Sequence, residues 1–219
     1  MEKFALIMAG GIGSRMGSDV PKQFIAINGK PVILHSINKF LEFHTDIKII
    51  IVLPEDQYKK WNECCKKYKF DVPHTLAPGG SERFFSVRNG LDRIDREGIV
   101  FIHDAVRPMV SCETIARCHQ CAIEKGNAVP VWPVSESLRK KTAKGSKAVD
   151  RSDYFIVQTP QTFIVSLIKK IYEQEYRPEF TDDASVFESS GKLITMVRGN
   201  RENIKITYPE DMKIARLFL

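Results

Sequence analysis

The chain has 219 residues, 43% hydrophobic and 27% charged, which suits one water-folded α/β domain with a full core. No fixed-period repeat or low-complexity tract runs through it, which excludes solenoid and fibrous classes. The net charge is +6, but residues 137–149 (SLRKKTAKGSKAV) hold five basic side chains and no acidic one, so the charge is local and not a footprint for nucleic acid.

In chain order, the short apolar runs KFALIM (3–8), IKIIIVL (47–53) and GIVFIH (98–103) predict strands covered on both faces, hence a parallel sheet. Between them, Ile33, Leu34, Ile37, Phe40 and Leu41 make one helical stripe, and Val87, Leu91 and Ile94 another. The apolar run in MEKFALIMAGG is too short for a secretory signal or a membrane span, so a cytoplasmic protein with no membrane partner is expected. Five cysteines, an odd number, agree with that address. Cys118, His119 and Cys121 lack a fourth zinc ligand, and on a helix His119 points away from the two thiols, so buried structural cysteines are expected.

Further on, NAVPVWPV (127–134) predicts a strand, FIVSLIKKIYEQEY (163–176) a helix and LITMV (193–197) a strand. NIKIT (203–207) leads into a last helix, whose start is marked by a Thr207–Glu210 capping box with Pro209 in the first turn. The alternation predicts a single doubly wound α/β domain over residues 1–219 with a mostly parallel sheet. One stretch interrupts it. SLRKKTAKGSKAVDRSDYFIVQT (137–159) has two extended halves around Ala143-Lys144-Gly145-Ser146 and reads as a protruding β-hairpin, either a solvated flap or an embrace of another subunit.

The chemistry starts at GGIGSRMGSDVPKQF (10–24). A glycine-rich loop between a buried strand and a helix presents backbone N–H groups to an anion, and phosphate is the natural guest. A Walker A loop needs Lys-Ser or Lys-Thr after its last glycine, and here Gly17 is followed by Ser18 and Asp19. A dinucleotide fingerprint needs a glycine where Met16 stands and an acidic residue where the chain around Ile33 is apolar. Pro21 keeps the chain extended before Lys22, so the lysine folds back from a loop over whatever the glycines hold. A second glycine pair opens GGSERFFSVRNGL (79–91), where Ser81, Arg83 and Ser86 can meet base, ribose or phosphate. HDAVRP (103–108) falls at the carboxyl end of a strand and supplies Asp104, suited to hold Mg²⁺ against phosphates, and the cation Arg107.

These blocks, with VDRSDYFIVQTPQTF, FTDDAS and NIKITYPEDM, occur in the order found in 2-C-methyl-D-erythritol 4-phosphate cytidylyltransferases, which the chain resembles from end to end. The related ribitol-5-phosphate cytidylyltransferases share the glycine loop, PKQF, HDAVRP and QTPQ. VDR at 149–151 and TDDAS at 181–185 look more like the first family, and AGGIGSRMG is at home in the second. Family members often carry an acidic residue where Ser81 stands and Asp-Thr where Glu136 and Ser137 stand.

The resemblance implies that a polyol-phosphate oxygen attacks the α-phosphorus of CTP, with Mg²⁺ as cofactor. It assigns Arg15 and Lys22 to the triphosphate and the transition state, Lys205 to the α-phosphate and Asp104 to the metal. Ala9, Gly10, Gly11, Gly80, Ser81 and Ser86 frame the nucleotide. Asp104, Ala105, Arg107, Ser137, Arg151 and Thr181 surround the sugar phosphate, Thr181 having the alternative role of capping a helix begun by Asp182. It also implies a homodimer, joined by a hairpin arm at 134–157 that carries Arg151 across to the partner. A noncatalytic nucleotide- or RNA-binding protein is the rival of another class, although no aromatic residues are interleaved with the arm's lysines.

Overall fold

A computed structural model describes residues 1–11 and 20–219. The chain starts with β1 (Glu2–Met8), the short pair β2 (Ala26–Ile27) and β3 (Lys30–Pro31), and α1 (Val32–Phe43). There follow β4 (Lys48–Leu53), α2 (Tyr58–Tyr68), β5 (His74–Pro78), α3 (Arg83–Leu91), β6 (Gly98–Asp104) and α4 (Cys112–Lys125). The second half holds β7 (Asn127–Pro133), β8 (Leu138–Thr142), β9 (Gly145–Val149), β10 (Phe155–Val157), β11 (Gln161–Ile164) and α5 (Val165–Ile171). It ends with α6 (Asp183–Glu188), β12 (Met196–Arg198) and α7 (Pro209–Phe218).

Among the described residues the main sheet runs β10-β7-β11-β6-β1-β4-β5, with β12 on β7. β5, β4, β1 and β6 are parallel, as the continuous apolar runs predict, and β12 lies parallel to β7. β10 and β11 are antiparallel to their neighbours. Period-2 alternation sends Ala5, Ile7, Ile49, Ile51 and Phe101 to one face, where Ile33, Ile37 and Phe40 of α1, Trp61 of α2 and Ile115 of α4 cover them. Phe4, Leu6, Ile50, Val52 and Ile102 take the other face, under Phe84 and Val87 of α3, Ile168 of α5 and Phe187 of α6. Helices on both faces make the doubly wound sandwich. A third cluster packs Met212 and Ala215 of α7 against Ile27, Val32, Val106 and Ile206, which fastens the carboxyl end beside the strand tips.

Four local expectations are corrected. The helix expected over 163–176 starts as a strand: Phe163 is wholly buried and pairs with Val100, and only Val165–Ile171 is helical. A short apolar run fits both periods, and the vacancy between β6 and β7 decides it for strand. The strand expected at 193–197 is confined to Met196–Arg198. The last helix does carry Pro209 in its first turn, but its cap is one residue later than expected. Asp211 and not Glu210 folds back, its Oδ2 accepting from the amides of Thr207 and Tyr208, both at 2.8 Å. The hairpin is β8 with β9, turning after Thr142, whereas Phe155–Val157, expected within the arm, belongs to the main sheet.

Candidate active site

The strand order reverses at β1, whose neighbours β6 and β4 lead to opposite edges of the sheet. Open α/β sheets bind ligands in the crevice outside the strand carboxyl ends at such a point. A cleft of about 430 Å³ lies there, walled by Met8, Ala9, Gly10 and Gly11 after β1, Lys22 and Gln23, Gly80–Arg83 and Ser86, Asp104 and Val106 after β6, and Lys205 and Thr207. Local backbone fixes this wall. The Ala9 amide donates to Val52 O at 2.7 Å and the Ala105 amide to Met8 O at 3.0 Å, continuing the ladder past the strand ends. Gln23 is buried, and its Nε2 donates to Ala9 O at 2.8 Å and to Gln57 Oε1 at 3.0 Å, which anchors the PKQF turn under the first glycine loop.

In the second loop, Ser86 Oγ accepts from the Gly80 amide at 2.9 Å and donates to Glu82 O at 3.1 Å. Its hydroxyl shapes the loop, and one lone pair is left for a ligand. A Cβ on Gly80 would overlap Phe85, so this close approach of loop to helix requires glycine. At Gly10 and Gly11 a Cβ would meet only ordinary contacts, with Ser86 Oγ at 3.9 Å and Lys22 Cε at 4.0 Å.

Asp104 is the electrostatic centre. Its Oδ2 accepts from Arg107 Nε at 3.2 Å and faces Lys205 Nζ at 3.1 Å, while Oδ1 lies 3.9 Å from Arg83 Nη2. Burial alone would raise its pKa, but Lys205, Arg83 and Arg107 overcome that and hold the carboxyl well below its usual range. It is therefore an anion at any physiological pH. His103, just before it, is fully buried. Its Nε2 bonds to Arg107 O at 3.1 Å, so that nitrogen carries the proton and Nδ1 accepts from the Thr159 hydroxyl at 2.9 Å. Thr159 Oγ1 in turn accepts the Asp104 amide at 3.1 Å. Desolvation lowers the His103 pKa to about 4, against the opposing pull of Asp104, and keeps the ring neutral.

Of the residues read from sequence, Ala9, Gly10, Gly11, Lys22, Gly80, Ser81, Ser86, Asp104 and Lys205 meet in this one cleft. Arg15 lies outside the described residues. The other assignments part from it. Ala105 is wholly buried, and its side chain faces the core. Arg107 is turned inward, donating to Asn203 O at 2.8 Å as well as to Asp104, and is not part of the wall. Ser137 and Arg151 are exposed on and beside the hairpin, Arg151 donating to Ser135 O. Thr181 is exposed and does not cap α6; Asp182 does, its Oδ1 accepting the Ser185 amide at 2.9 Å. Gln23, His103, Asp183 and Thr207 fall inside the PKQF, HDAVRP, TDDAS and NIKITYPEDM blocks without a site role there: Gln23 and Asp183 take their weight from partners 34 and 100 residues away, His103 from burial and Thr207 from its place in the cleft wall, none of which spacing displays.

A doubly wound sheet with a glycine-walled, cation-lined cleft at its switch point defines a nucleotide-handling α/β enzyme. The family model for IspD, 2-C-methyl-D-erythritol 4-phosphate cytidylyltransferase, matches residues 4–219, and the chain belongs to that family, one of nucleotidyltransferases. It is similar to the proteins of that name from Bacteroides fragilis, 50% identical over 100% of both chains, and from Porphyromonas gingivalis, 48% identical over 100% of this chain and 98% of the other. Among solved structures, the Francisella tularensis protein of the same name superimposes with a TM-score of 0.83 at 28% identity, over 100% of both chains.

Proposed function

We propose that the chain transfers CMP from CTP to 2-C-methyl-D-erythritol 4-phosphate, a step towards isoprenoid precursors that releases pyrophosphate and leaves a CDP-linked alcohol. One observation carries the reading: Lys22, Lys205 and the Asp104 carboxylate meet in one cleft with the main chain of residues 9–11 and 80–81. The attacking phosphate oxygen is already anionic, so the new bond to the α-phosphorus forms and the bond to pyrophosphate breaks with no general base. What the site must supply is alignment and positive charge. Lys22, buried in the wall, faces the place where glycine amides would hold the triphosphate. Lys205, half-exposed, is free to exchange Asp104 for a phosphate oxygen as charge builds on the α-phosphoryl group.

Magnesium fits this wall. Among the described residues no group of three His, Cys, Asp or Glu could cage a metal. Mg²⁺, however, is commonly held by one or two carboxylates plus substrate phosphates and water. Asp104 is ionised, lines the cleft and has Oδ1 less committed than Oδ2, so it is the residue to hold the ion, which would supply charge neutralisation on the triphosphate.

The reading includes a single domain over 1–219 that acts as a homodimer. Arg151 and Ser137 lie apart from their own chain's cleft, and beside them Tyr154, Phe155, Ile156 and Val157 are 42–49% exposed, an apolar strip that association would cover. It also includes a cytoplasmic address, supported by five free thiols; no helix among the described residues is long and apolar enough to cross a membrane. The test is to supply CTP and Mg²⁺ with methylerythritol phosphate and with ribitol phosphate in separate reactions and to follow pyrophosphate. Release with the first is expected. Release with ribitol phosphate alone moves the assignment to the related activity, and release with neither, alongside salt-sensitive RNA binding, moves it to the noncatalytic reading.

A further inference from the structure

Asp183 has no part in the reading above, yet its carboxylate is fully buried and firmly held. Arg83 Nη2 donates to Oδ2 at 2.8 Å and Nη1 to Oδ1 at 3.4 Å, and the Tyr172 hydroxyl donates to Oδ1 at 2.6 Å. The turn around it is pinned as well. Gln161 Nε2 donates to Asp182 Oδ2 at 2.7 Å, and Gln161 Oε1 accepts the Ala184 amide at 2.8 Å. So the segment directly after Thr181 is fastened to β11, to α3 and to the residue following α5.

Arg83 stands at the other end of this arrangement, in the cleft wall. The same Nη2 that bonds Asp183 lies 3.9 Å from Asp104 Oδ1. A guanidinium has five donors in a fixed planar fork, so one carboxylate gripping its edge orients the rest of it. Here Asp183 cancels the arginine's charge and sets its plane, and the remaining approach is toward Asp104. With its charge compensated by Asp183 and both terminal nitrogens engaged there, Arg83 offers less to a triphosphate than to the carboxylate 3.9 Å away.

We infer that Arg83 is a positioning residue: clamped by Asp183 and Tyr172, it holds the Asp104 carboxylate in place and ties it to the 181–185 turn, and it does not itself bind the triphosphate. This rests on the cleft being the cytidylyl-transfer site. It replaces the sequence-based expectation that Arg83 meets base, ribose or phosphate.

The experiment compares the wild type with Asp183→Asn, Arg83→Gln, the double variant and Tyr172→Phe. It records CTP affinity by calorimetry, kcat with methylerythritol phosphate, and the thermal midpoint. We expect Asp183→Asn and Arg83→Gln each to lower kcat about tenfold or more, the usual scale for a partner that orients a liganding group, with the double variant no worse than either. CTP affinity, measured without Mg²⁺ so that the metal contact of Asp104 does not enter, should stay within about twofold throughout, since no direct triphosphate contact is removed. Asp183→Asn at wild-type turnover, with Arg83→Gln weakening CTP about tenfold, would make Arg83 a direct phosphate contact and overturn the inference. Lower midpoints with unchanged kcat in every variant would also overturn it, leaving a clamp that serves the fold alone. Should the Asp183 and Arg83 variants fail to fold, Tyr172→Phe decides: reduced turnover at unchanged CTP affinity supports the inference, and wild-type turnover overturns it. A wild-type protein that turns over neither polyol phosphate overturns the functional reading, and the inference with it, and this shows in the unmutated chain.

Discussion

The cleft and the β8–β9 arm draw on the same two residue types for their positive charge and treat them in opposite ways. Around Asp104, Arg107 and Lys205 lie within 3.2 Å of the carboxylate, and Arg83 is shared with Asp183. On the arm, Arg139, Lys140, Lys141, Lys144 and Lys147 are all exposed, and among the described residues none has an acidic partner. A cation braced by a buried carboxylate is already in place at the cleft when a ligand arrives, so little reorganisation is left for the moment of reaction. A solvated cation on a two-stranded ribbon is screened and mobile, and gains a place only when a second surface supplies one. The lesson is that charge at a site is read from what restrains it, and a count of lysines ranks these two regions the wrong way round.

The contrast breaks most easily at the cleft. Lys22→Ala and Lys205→Ala should each lose on the order of 10²-fold in kcat, the scale for removing one preorganised charge contact. Steady-state pyrophosphate release measures it, with circular dichroism to confirm folding. Turnover near wild type in either variant would mean that the restrained cations are scaffolding.

Next in size is the pH response of the buried histidine beside Asp104. His103 has a pKa of about 4 in the fold against 6.5 when exposed, so between those values the unfolded chain binds the extra proton. Its contribution is thus complete above pH 6.5 and is lost as the pH falls to about 4, by on the order of 3 kcal/mol. Denaturant titrations of wild type and His103→Gln across that window should converge towards low pH. An imidazole NMR signal from His103 that titrates near 6.5 would remove the basis for this.

Glycine sharpens the comparison on a smaller scale. Gly80→Ala should cost about 1–3 kcal/mol of stability, because its Cβ overlaps Phe85 where the loop presses on α3. Gly11→Ala meets only Lys22 Cε at 4.0 Å, so it should melt like the wild type and lose CTP affinity instead. Equal loss of stability in the two would show that the first loop is spent on the fold.

Much of this was legible beforehand because it is carried by local pattern. The apolar runs at β1, β4 and β6 are long, β-branched and bounded by turn residues, and buried parallel strands leave that trace in any context. The glycine pairs and Asp104 follow from strand carboxyl ends that converge at the switch point, and Lys22 from the extended chain that Pro21 imposes before it, whereas Lys205 is placed only by the resemblance to the cytidylyltransferases. What escaped is what depends on distant partners. β5 leaves no apolar run to read, because His74–Pro78 lies at the sheet edge with a single buried residue and begins beside a proline. The helical period of 163–176 does not reveal β11, because only the gap between β6 and β7 makes Phe163 extended. Arg107, which the resemblance places at the sugar phosphate, is turned inward on Asn203 O, 96 residues away, a partner that spacing does not display.

The smallest effect is expected where the cations are most numerous. Lys140→Gln with Lys141→Gln touches no ion pair among the described residues and no core cluster, so stability should stay within about 0.5 kcal/mol of wild type. Turnover should stay within about twofold, because Lys140 and Lys141 pair only with Lys147 and Ser146 across the hairpin and are apart from the cleft. If the arm grips a second subunit through its backbone and the apolar strip at Tyr154–Val157, the sedimentation behaviour should be unchanged too, whereas Ile156→Asp, on that strip, should shift it towards monomer. A double lysine variant that instead lost RNA affinity, with a matching fall in salt dependence, would assign the arm's charge to a polyanion and reverse the ranking of the two regions.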